Sequence, residues 1–357
     1  MHPMNIVIFG LSISSSWGNG HATIWRGLIR GLVGMGHSVF FFEKNVPYYE
    51  SNRDFTGCEG LTLVFYDSFS KISSLVSDTV KKSDVSMVTS YCPDALEASE
   101  IIFQSGIFSV FYDLDTPVTL YNIKNGNRPQ YIGLSGLDQY DLVLSYTGGK
   151  ALDGLKSVLS ARHVFPLYGC ADPFVYKYIK PVVKSKTVLS YLGTFAGDRQ
   201  QKLEDLFIRP AQSLPQKKFL IGGAQYPPET FRSKNIIHKE HVPPPHHRFF
   251  YSSSKFTLNI TRSAMAEMGY CPSGRLFEAS LCGVPIISDR WEGIDLFFEP
   301  GGEIMLVDTS QDVLDVLSMS DSRREKISRR AVKRASEFHT SEKRARELIA
   351  ILKEGKE

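Results

Sequence analysis

No apolar run in this chain of 357 residues approaches the roughly 18 residues needed to cross a bilayer, so the sequence predicts no membrane-spanning helix. Cysteine is sparse. Cys58, Cys92, Cys170, Cys271 and Cys282 are scattered, odd in number and never closely paired, which argues against a disulfide framework and a thiolate zinc site. They point instead to reduced thiols in a reducing compartment. Neither sign of charge prevails: 41 basic against 38 acidic residues leave +3, too small an excess to argue for nucleic acid by itself. Low-complexity tracts are missing, and 42% hydrophobic with 22% charged residues is the balance of a globular protein. The first expected strand, residues 4–9, has no apolar leader before it, so a cytoplasmic protein without a signal peptide is expected. In that compartment the sequon Asn259-Ile260-Thr261 stays unglycosylated.

What is present is a repeated alternation of strand and helix. Residues 4–9 read as a buried strand, and Ile24, Trp25, Leu28, Ile29, Leu32 and Val33 follow at helical spacing before a second strand at 38–42. That is a βαβ unit, which favours a right-handed crossover and a parallel sheet. Further strands are expected at 61–66, 84–89, 106–112, 141–145 and 162–165. The rhythm breaks at Tyr168–Pro173, and a basic, proline-containing stretch to about Lys186 reads as a linker. The alternation then restarts at 188–192, 218–221, 236–239, 256–260, 284–288 and 304–307, and charged helical segments close the chain at 322–353. The expectation is an α/β protein of two Rossmann-like, doubly wound domains, whose ligands bind at the carboxyl ends of the strands in a cleft between them.

One stretch concentrates the chemistry. Pro272, Ser273 and Gly274 supply a turn, a helical segment follows, and Gly283 stops it before an apolar strand. Such a helix tip offers unpaired amides and a positive dipole end that suit a phosphate. Arg275 lies in the first turn, where its guanidinium fork can grip that phosphate. Glu278, three residues on, shares a face with it and can accept both hydroxyls of a ribose. The alternative is a capped αβ unit in which Arg275 and Glu278 are a surface pair worth under about 1 kcal/mol.

The run Arg-Leu-Phe-Glu-Ala-Ser-Leu-Cys-Gly-Val-Pro-Ile-Ile-Ser-Asp from Arg275 to Asp289 continues into Trp291, Gly293, Asp295, Phe297, Phe298 and Pro300-Gly301-Gly302-Glu303. It resembles the nucleotide-sugar segment of GT-B glycosyltransferases, in particular the CgeB-like branch named after a spore-maturation protein. The resemblance implies a first domain at 1–175 on the acceptor side, a nucleotide-sugar domain at 176–335, and a closing helix within 336–357 that crosses back onto the first. It further implies transfer from a UDP-, dTDP- or GDP-linked sugar, with retention by kinship. The leaving diphosphate would be handled by helix dipoles and basic residues, with no permanent cofactor. One departure stands out. Where many retaining members carry Glu, seven residues and Glu, the earlier position here is Tyr270, so the sugar and the stereochemical outcome stay open. Asp295 is a candidate for holding sugar hydroxyls.

Other segments fit the same scheme. Trp17-Gly18-Asn19-Gly20-His21 is a glycine-rich loop at the carboxyl end of the first strand, similar to a Gly-Asn-Gly-His segment of the CgeB-like branch. It is neither a dinucleotide fingerprint, since the third glycine is missing, nor a Walker loop. His21 is either a general base or hydrogen-bond donor facing the substrates, or a neighbour of a helix cap. Asp113 and Asp115 follow a buried strand; they can orient a hydroxyl, take a proton, hold a divalent cation, or simply turn the chain. Gly193, Thr194 and Arg199 resemble the loop that opens the nucleotide domain, with Arg199 neutralising the diphosphate. Gly222 and Gly223 end another strand, near the base. The histidines from His238 to His247 invite a zinc reading, but three prolines interrupt them and no thiol joins, so no metal site is expected. By analogy the backbone of His241 or Val242 reads the base edge, and Arg262 is a second-line contact. The cluster Arg323, Arg324, Lys326, Arg329, Arg330, Lys333 and Arg334 has few acidic neighbours; it is a solvated helix face or a surface for nucleic acid or membrane headgroups. The acceptor is unspecified. Rival readings are a sugar-nucleotide hydrolase or epimerase, a non-catalytic nucleotide-binding module, and a nicotinamide enzyme in which Glu43 would end the second strand.

Overall fold

The computed structural model describes residues 2–179, 187–231 and 233–356, so residues 180–186 of the expected linker lie outside it. The chain divides into two compact units, Met1–Gly169 with Ser341–Glu357, and Cys170–Thr340. The divisions expected after residues 175 and 335 thus fall after 169 and 340.

The first unit is built on seven parallel strands: β1 (Asn5–Gly10), β2 (Ser38–Lys44), β3 (Leu61–Tyr66), β4 (Val85–Thr89), β5 (Ser109–Asp113), β6 (Leu142–Ser145) and β7 (Val164–Pro166). Their spatial order is β3-β2-β1-β4-β5-β6-β7. Ile6, Val7, Ile8 and Phe9 of β1 are all buried, as are all residues of β4, because helices cover both faces of a parallel sheet. The second unit repeats the scheme with β8 (Thr187–Leu192), β9 (Phe219–Gly222), β10 (Ile236–Lys239), β11 (Ser254–Asn259), β12 (Ile286–Ser288) and β13 (Ile304–Leu306), ordered β10-β9-β8-β11-β12-β13. Its core gathers Leu189, Phe207, Phe219, Ile221, Phe256 and Leu258, all essentially solvent-free.

In each sheet the strand order reverses once, between β1 and β4 and between β8 and β11. Loops that leave neighbouring strands on opposite sides open a crevice at such a switch point. The loop after β1 and the loop after β8 are therefore where each unit can hold a ligand.

Two strand boundaries differ from the sequence reading for local reasons. The strand expected from 106 starts at Ser109, because Gly106, at φ +68°, caps the helix Ala95–Ser105. The strand expected from 284 starts at Ile286: Val284 N–H still closes the preceding helix on Ala279, and Pro285 has no N–H for a ladder. The basic cluster is also less isolated than its sequence suggests. On the helix Asp321–Phe338, Arg324 pairs with Asp321, Arg330 with Glu299, and Arg334 lies 3.8 Å from Glu303 while donating to Phe297 and Leu296 carbonyls.

Candidate functional site

In the second unit Arg275 is the centre of the arrangement. It lies in the first turn of the helix Gly274–Leu281, and its guanidinium reaches back to the carboxyl ends of β8 and β11. Nε donates to the Leu192 carbonyl at 2.6 Å, and Nη1 donates to Asn259 Oδ1 at 2.6 Å and to Ser273 Oγ at 3.3 Å. The Tyr191 ring lies beneath it, 5.2 Å from the guanidinium carbon, a cation–π contact that further fixes it. All these partners are neutral, and no carboxylate pairs with Arg275 among the described residues. A half-buried positive charge is thus oriented without being cancelled. Ser273 precedes the helix without capping it by a side-chain bond, and Ser273 and Gly274 are both half-buried. The first-turn amides beside the guanidinium thus lack a side-chain cap, an arrangement that suits an anion.

The glycines around Arg275 serve the backbone as much as any ligand. A Cβ on Gly193 would lie 3.1 Å from Arg275 Nη2 and 2.9 Å from the Tyr191 hydroxyl, so its absence makes room for the guanidinium. A Cβ on Gly223, at φ +150°, would fall 2.0 Å from the Gly193 carbonyl oxygen, and one on Gly222 would meet Leu192, Val242 and Phe250 at 2.8–3.0 Å. Gly222 and Gly223 therefore let the ends of β8 and β9 touch. Thr194 follows, and its carbonyl accepts from Arg199 Nη2. Arg199 Nε is buried without a partner, so this second guanidinium also keeps donor capacity.

Glu278 is no surface residue; it is buried, and Tyr251 Oη donates to its Oε2 at 3.1 Å. Oε1 points the other way, 3.9 Å from where a Cβ on Gly274 would stand. The surface-pair alternative fails, because Arg275 and Glu278 hold separate partners.

Other expected contacts are spread out. Arg262 is exposed and occupied by Asp198, its Nε 3.3 Å from the carboxylate. Asp295 is exposed on the short turn Ile294–Leu296. The Val242 carbonyl accepts from His247 Nε2 at 2.9 Å, and His241 beside it is half-buried. His238 bonds the Gly223 carbonyl at 2.8 Å while His246 is exposed, so the histidines are dispersed. Among the described residues no three His, Cys, Asp or Glu side chains gather as a metal set. The sequence reading also missed Lys202, whose Nζ lies 2.6 Å from buried Asp289, itself tied to Thr261 N–H and Oγ1 at 3.0 Å. Its signal was its place one turn beyond Arg199.

In the first unit the loop after β1 is shaped by a carboxylate the sequence assigned to a rival reading. Buried Glu43 accepts from Ser12 Oγ at 3.0 Å, Ile13 N–H at 2.8 Å, Ser14 N–H at 3.0 Å and Ser14 Oγ at 2.5 Å. All its acceptor capacity holds the loop, which leaves none for a nicotinamide ribose and removes the support for that rival. Asn19 ties the loop together through its Nδ2 to the Ser12 and Ser15 carbonyls and accepts the His21 N–H on Oδ1. Gly18, at φ +60°, lies under the Tyr48 hydroxyl, which a Cβ would approach to 2.8 Å. Trp17 is half-buried at the same bend.

His21 and Asp115 do come together. His21 starts the helix His21–Gly34, and its Nε2 lies 3.5 Å from Asp115 Oδ2. Tyr91, from the loop after β4, donates to the same oxygen at 3.0 Å and holds φ +66°, a strained backbone for a bulky residue. Asp113 ends β5 fully buried; its Oδ1 accepts Asp115 N–H and Thr119 Oγ1 at 3.1 Å each, and its Oδ2 has no partner. Burial pushes its carboxyl up to about 6, opposed by those hydrogen bonds and reinforced by the charge of Asp115. Asp115, His21 and Tyr91 are the partly open face of this cluster and Asp113 its floor.

A family model described as glycosyl transferase-like matches residues 199–350. No curated protein matches the chain. Among solved structures, sucrose-phosphate synthase from Thermosynechococcus elongatus aligns with 98% of both chains at 12% identity and a TM-score of 0.73. HepE of Anabaena, solved with UDP-glucose, aligns over 98% of this chain and all of its own at 13% identity and a TM-score of 0.67. An α-glucosyltransferase solved with UDP-glucose and DNA containing an abasic site aligns over 99% of this chain and all of its own at 13% identity and a TM-score of 0.69. At such identities the likeness establishes the fold: two Rossmann-like α/β units, as in GT-B glycosyltransferases.

Proposed function

We propose that the protein is a GT-B glycosyltransferase that moves a sugar from a nucleoside diphosphate donor to an acceptor, with the CgeB-like branch as its kin. The observation that carries this is Arg275, a guanidinium fixed by neutral partners beside an uncapped helix start at a switch point. In this reading the second unit, Cys170–Thr340, is the nucleotide-sugar domain, and the first, with the returning segment Ser341–Glu357, is the acceptor-side domain. Arg275, Arg199 and the Ser273–Gly274 amides stabilise the departing diphosphate, whose charge grows as the glycosidic bond breaks. Glu278 Oε1 takes ribose hydroxyls. UDP is the favoured nucleotide because two of the similar structures are solved with UDP-glucose.

On the acceptor side, Asp115 orients His21, which receives or steers the acceptor hydroxyl. Catalysis through fixed cations needs no metal at the diphosphate, and retention is the outcome that the resemblance to the CgeB-like branch implies. Asp295 and Arg262 are peripheral in this scheme. Among the described residues no helix is long and apolar enough to cross a membrane. Nucleic acid enters as an acceptor class because one similar structure holds DNA.

The test is a screen of UDP-, dTDP- and GDP-sugars for thermal stabilisation, followed by detection of released nucleoside diphosphate with and without candidate acceptors. Stabilisation by one donor and acceptor-dependent release are expected. Release that ignores acceptors would mark a hydrolase, and binding without release a non-catalytic module.

A further inference from the structure

Behind Glu278 lies a buried polar cluster that the donor chemistry above does not use. The helix Pro244–Ser252 presents His247 and Tyr251, four residues apart and so on one face, toward the helix that carries Glu278. Tyr251 is fully buried and Tyr176 nearly so. Tyr251 Oη donates to Glu278 Oε2 at 3.1 Å, and His247 Nδ1 lies 3.8 Å from the same oxygen. His247 Nε2 meets the Val242 carbonyl at 2.9 Å, and since a carbonyl only accepts, that nitrogen carries its hydrogen. Nδ1 is then the face turned to the Tyr176 hydroxyl, 3.3 Å away. Burial, and then the Glu278 charge, push both phenols well above the usual tyrosine range, so they remain hydrogen donors.

A buried carboxylate with one oxygen fixed by the Tyr251 hydroxyl has little freedom to turn about its last bond. Its other oxygen, on the Gly274 side, keeps one direction. We propose that Tyr251, with Tyr176 and His247 packed behind the same oxygen, is a positioning residue that aims Glu278 Oε1 at the ribose hydroxyls of the nucleotide. This rests on the donor-site reading above. The cluster comes from three separate parts of the chain: the segment before the second sheet, the Pro244–Ser252 helix and the helix of Glu278. It does not touch substrate itself. It lowers the cost of ordering the one carboxylate that does.

The test compares wild type with Tyr251→Phe and His247→Gln, using the full chain, for donor KM, kcat and binding of UDP and 2′,3′-dideoxy-UDP. Loss of the Tyr251 hydrogen bond to the Glu278 carboxylate should raise donor KM and the UDP dissociation constant by about tenfold, and His247→Gln, which removes only the partner of Tyr176, by about threefold, with kcat within about twofold in both. The penalty should shrink to under about twofold with the dideoxy nucleotide, which has no hydroxyls for Glu278 to hold. A merely structural role predicts equal losses for both nucleotides, and that result overturns the proposal. So does unchanged UDP binding in both variants. Glu278→Gln provides the check on folding: if it weakens UDP while Tyr251→Phe and His247→Gln do not, the positioning role fails although the donor site stands. Wild-type protein that binds no nucleoside diphosphate would overturn the donor-site reading and this inference together.

Discussion

A single guanidinium separates the donor-site reading from an ordinary helix start. Arg275 is held by Leu192, Asn259 and Ser273 rather than by a carboxylate, so its charge is available to whatever anion arrives. Arg275→Ala should lower turnover at least about tenfold, since a hydrogen bond to a charged group contributes roughly 1.5–3 kcal/mol. Donor affinity should fall less, because the leaving diphosphate is more negative than the bound sugar nucleotide. Steady-state kinetics with the donor found by screening decides it, and wild-type turnover in the variant would defeat the assignment. Asp113 makes a second prediction, about stability. Burial raises its carboxyl to about 6, above the ordinary aspartate value of 3.8, so folding favours the protonated form. Its contribution is therefore fully present below about pH 4 and is lost as pH rises through about 6. The size is about 3 kcal/mol, from a difference of about two pH units at 1.36 kcal/mol each. Asp113→Asn should flatten the melting temperature between pH 4 and 6.5 relative to wild type, as read by calorimetry. A parallel decline in both proteins would show that Asp113 ionises as an ordinary carboxylate.

At the scale of elements, the contact between the ends of β8 and β9 explains why glycine sits where it does. Gly223→Ala places a methyl 2.0 Å from the Gly193 oxygen in a backbone region that L side chains avoid. A loss of about 3 kcal/mol or more is expected, measured as a lower denaturant midpoint at constant slope. A change under about 0.5 kcal/mol would mean the two loops are free to part. The strands themselves were legible because apolar runs in a doubly covered sheet need no alternation, as in β1 and β4. Their ends were less so: a left-handed Gly106 and a ladder-breaking Pro285 each move a strand start by two or three residues. The helix tip with Arg275 was legible too, because cap, turn and cation are neighbours in sequence. Its support was not. Tyr251 meets Glu278 across 27 residues and Glu43 meets Ser12 across 31, and no local pattern announces such pairs. Glu43 shows the hazard: a carboxylate at a strand end reads as a ribose ligand until the loop it anchors is seen.

The whole chain is tied by its last segment. The helix Ser341–Glu354 leaves the unit that precedes it and completes the first one, lying against the helix His21–Gly34 so closely that a Cβ on Gly31 would fall 2.6 Å from the Ser341 oxygen. Leu348, Ile349, Ile351 and Leu352 are buried there. At about 1.5–3 kcal/mol for each buried aliphatic side chain, that contact contributes roughly 6 kcal/mol or more. Whole domains are stable by only about 5–15 kcal/mol. A chain ending at Thr340 should therefore lose hydrogen-exchange protection in β1 and the His21–Gly34 helix while β8 and β11 keep theirs. Because His21 begins the loosened helix and Arg275 lies in the other unit, nucleoside diphosphate binding should survive within about threefold while transfer falls to background. Milder crowding by Gly31→Val in the full chain should give the same order of effects, with a melting temperature lower by about 2–4 °C per kcal/mol lost. Loss of nucleotide binding in the shortened chain, or protection retained in the His21–Gly34 helix, would show that the last helix does not divide the work between the two units in this way.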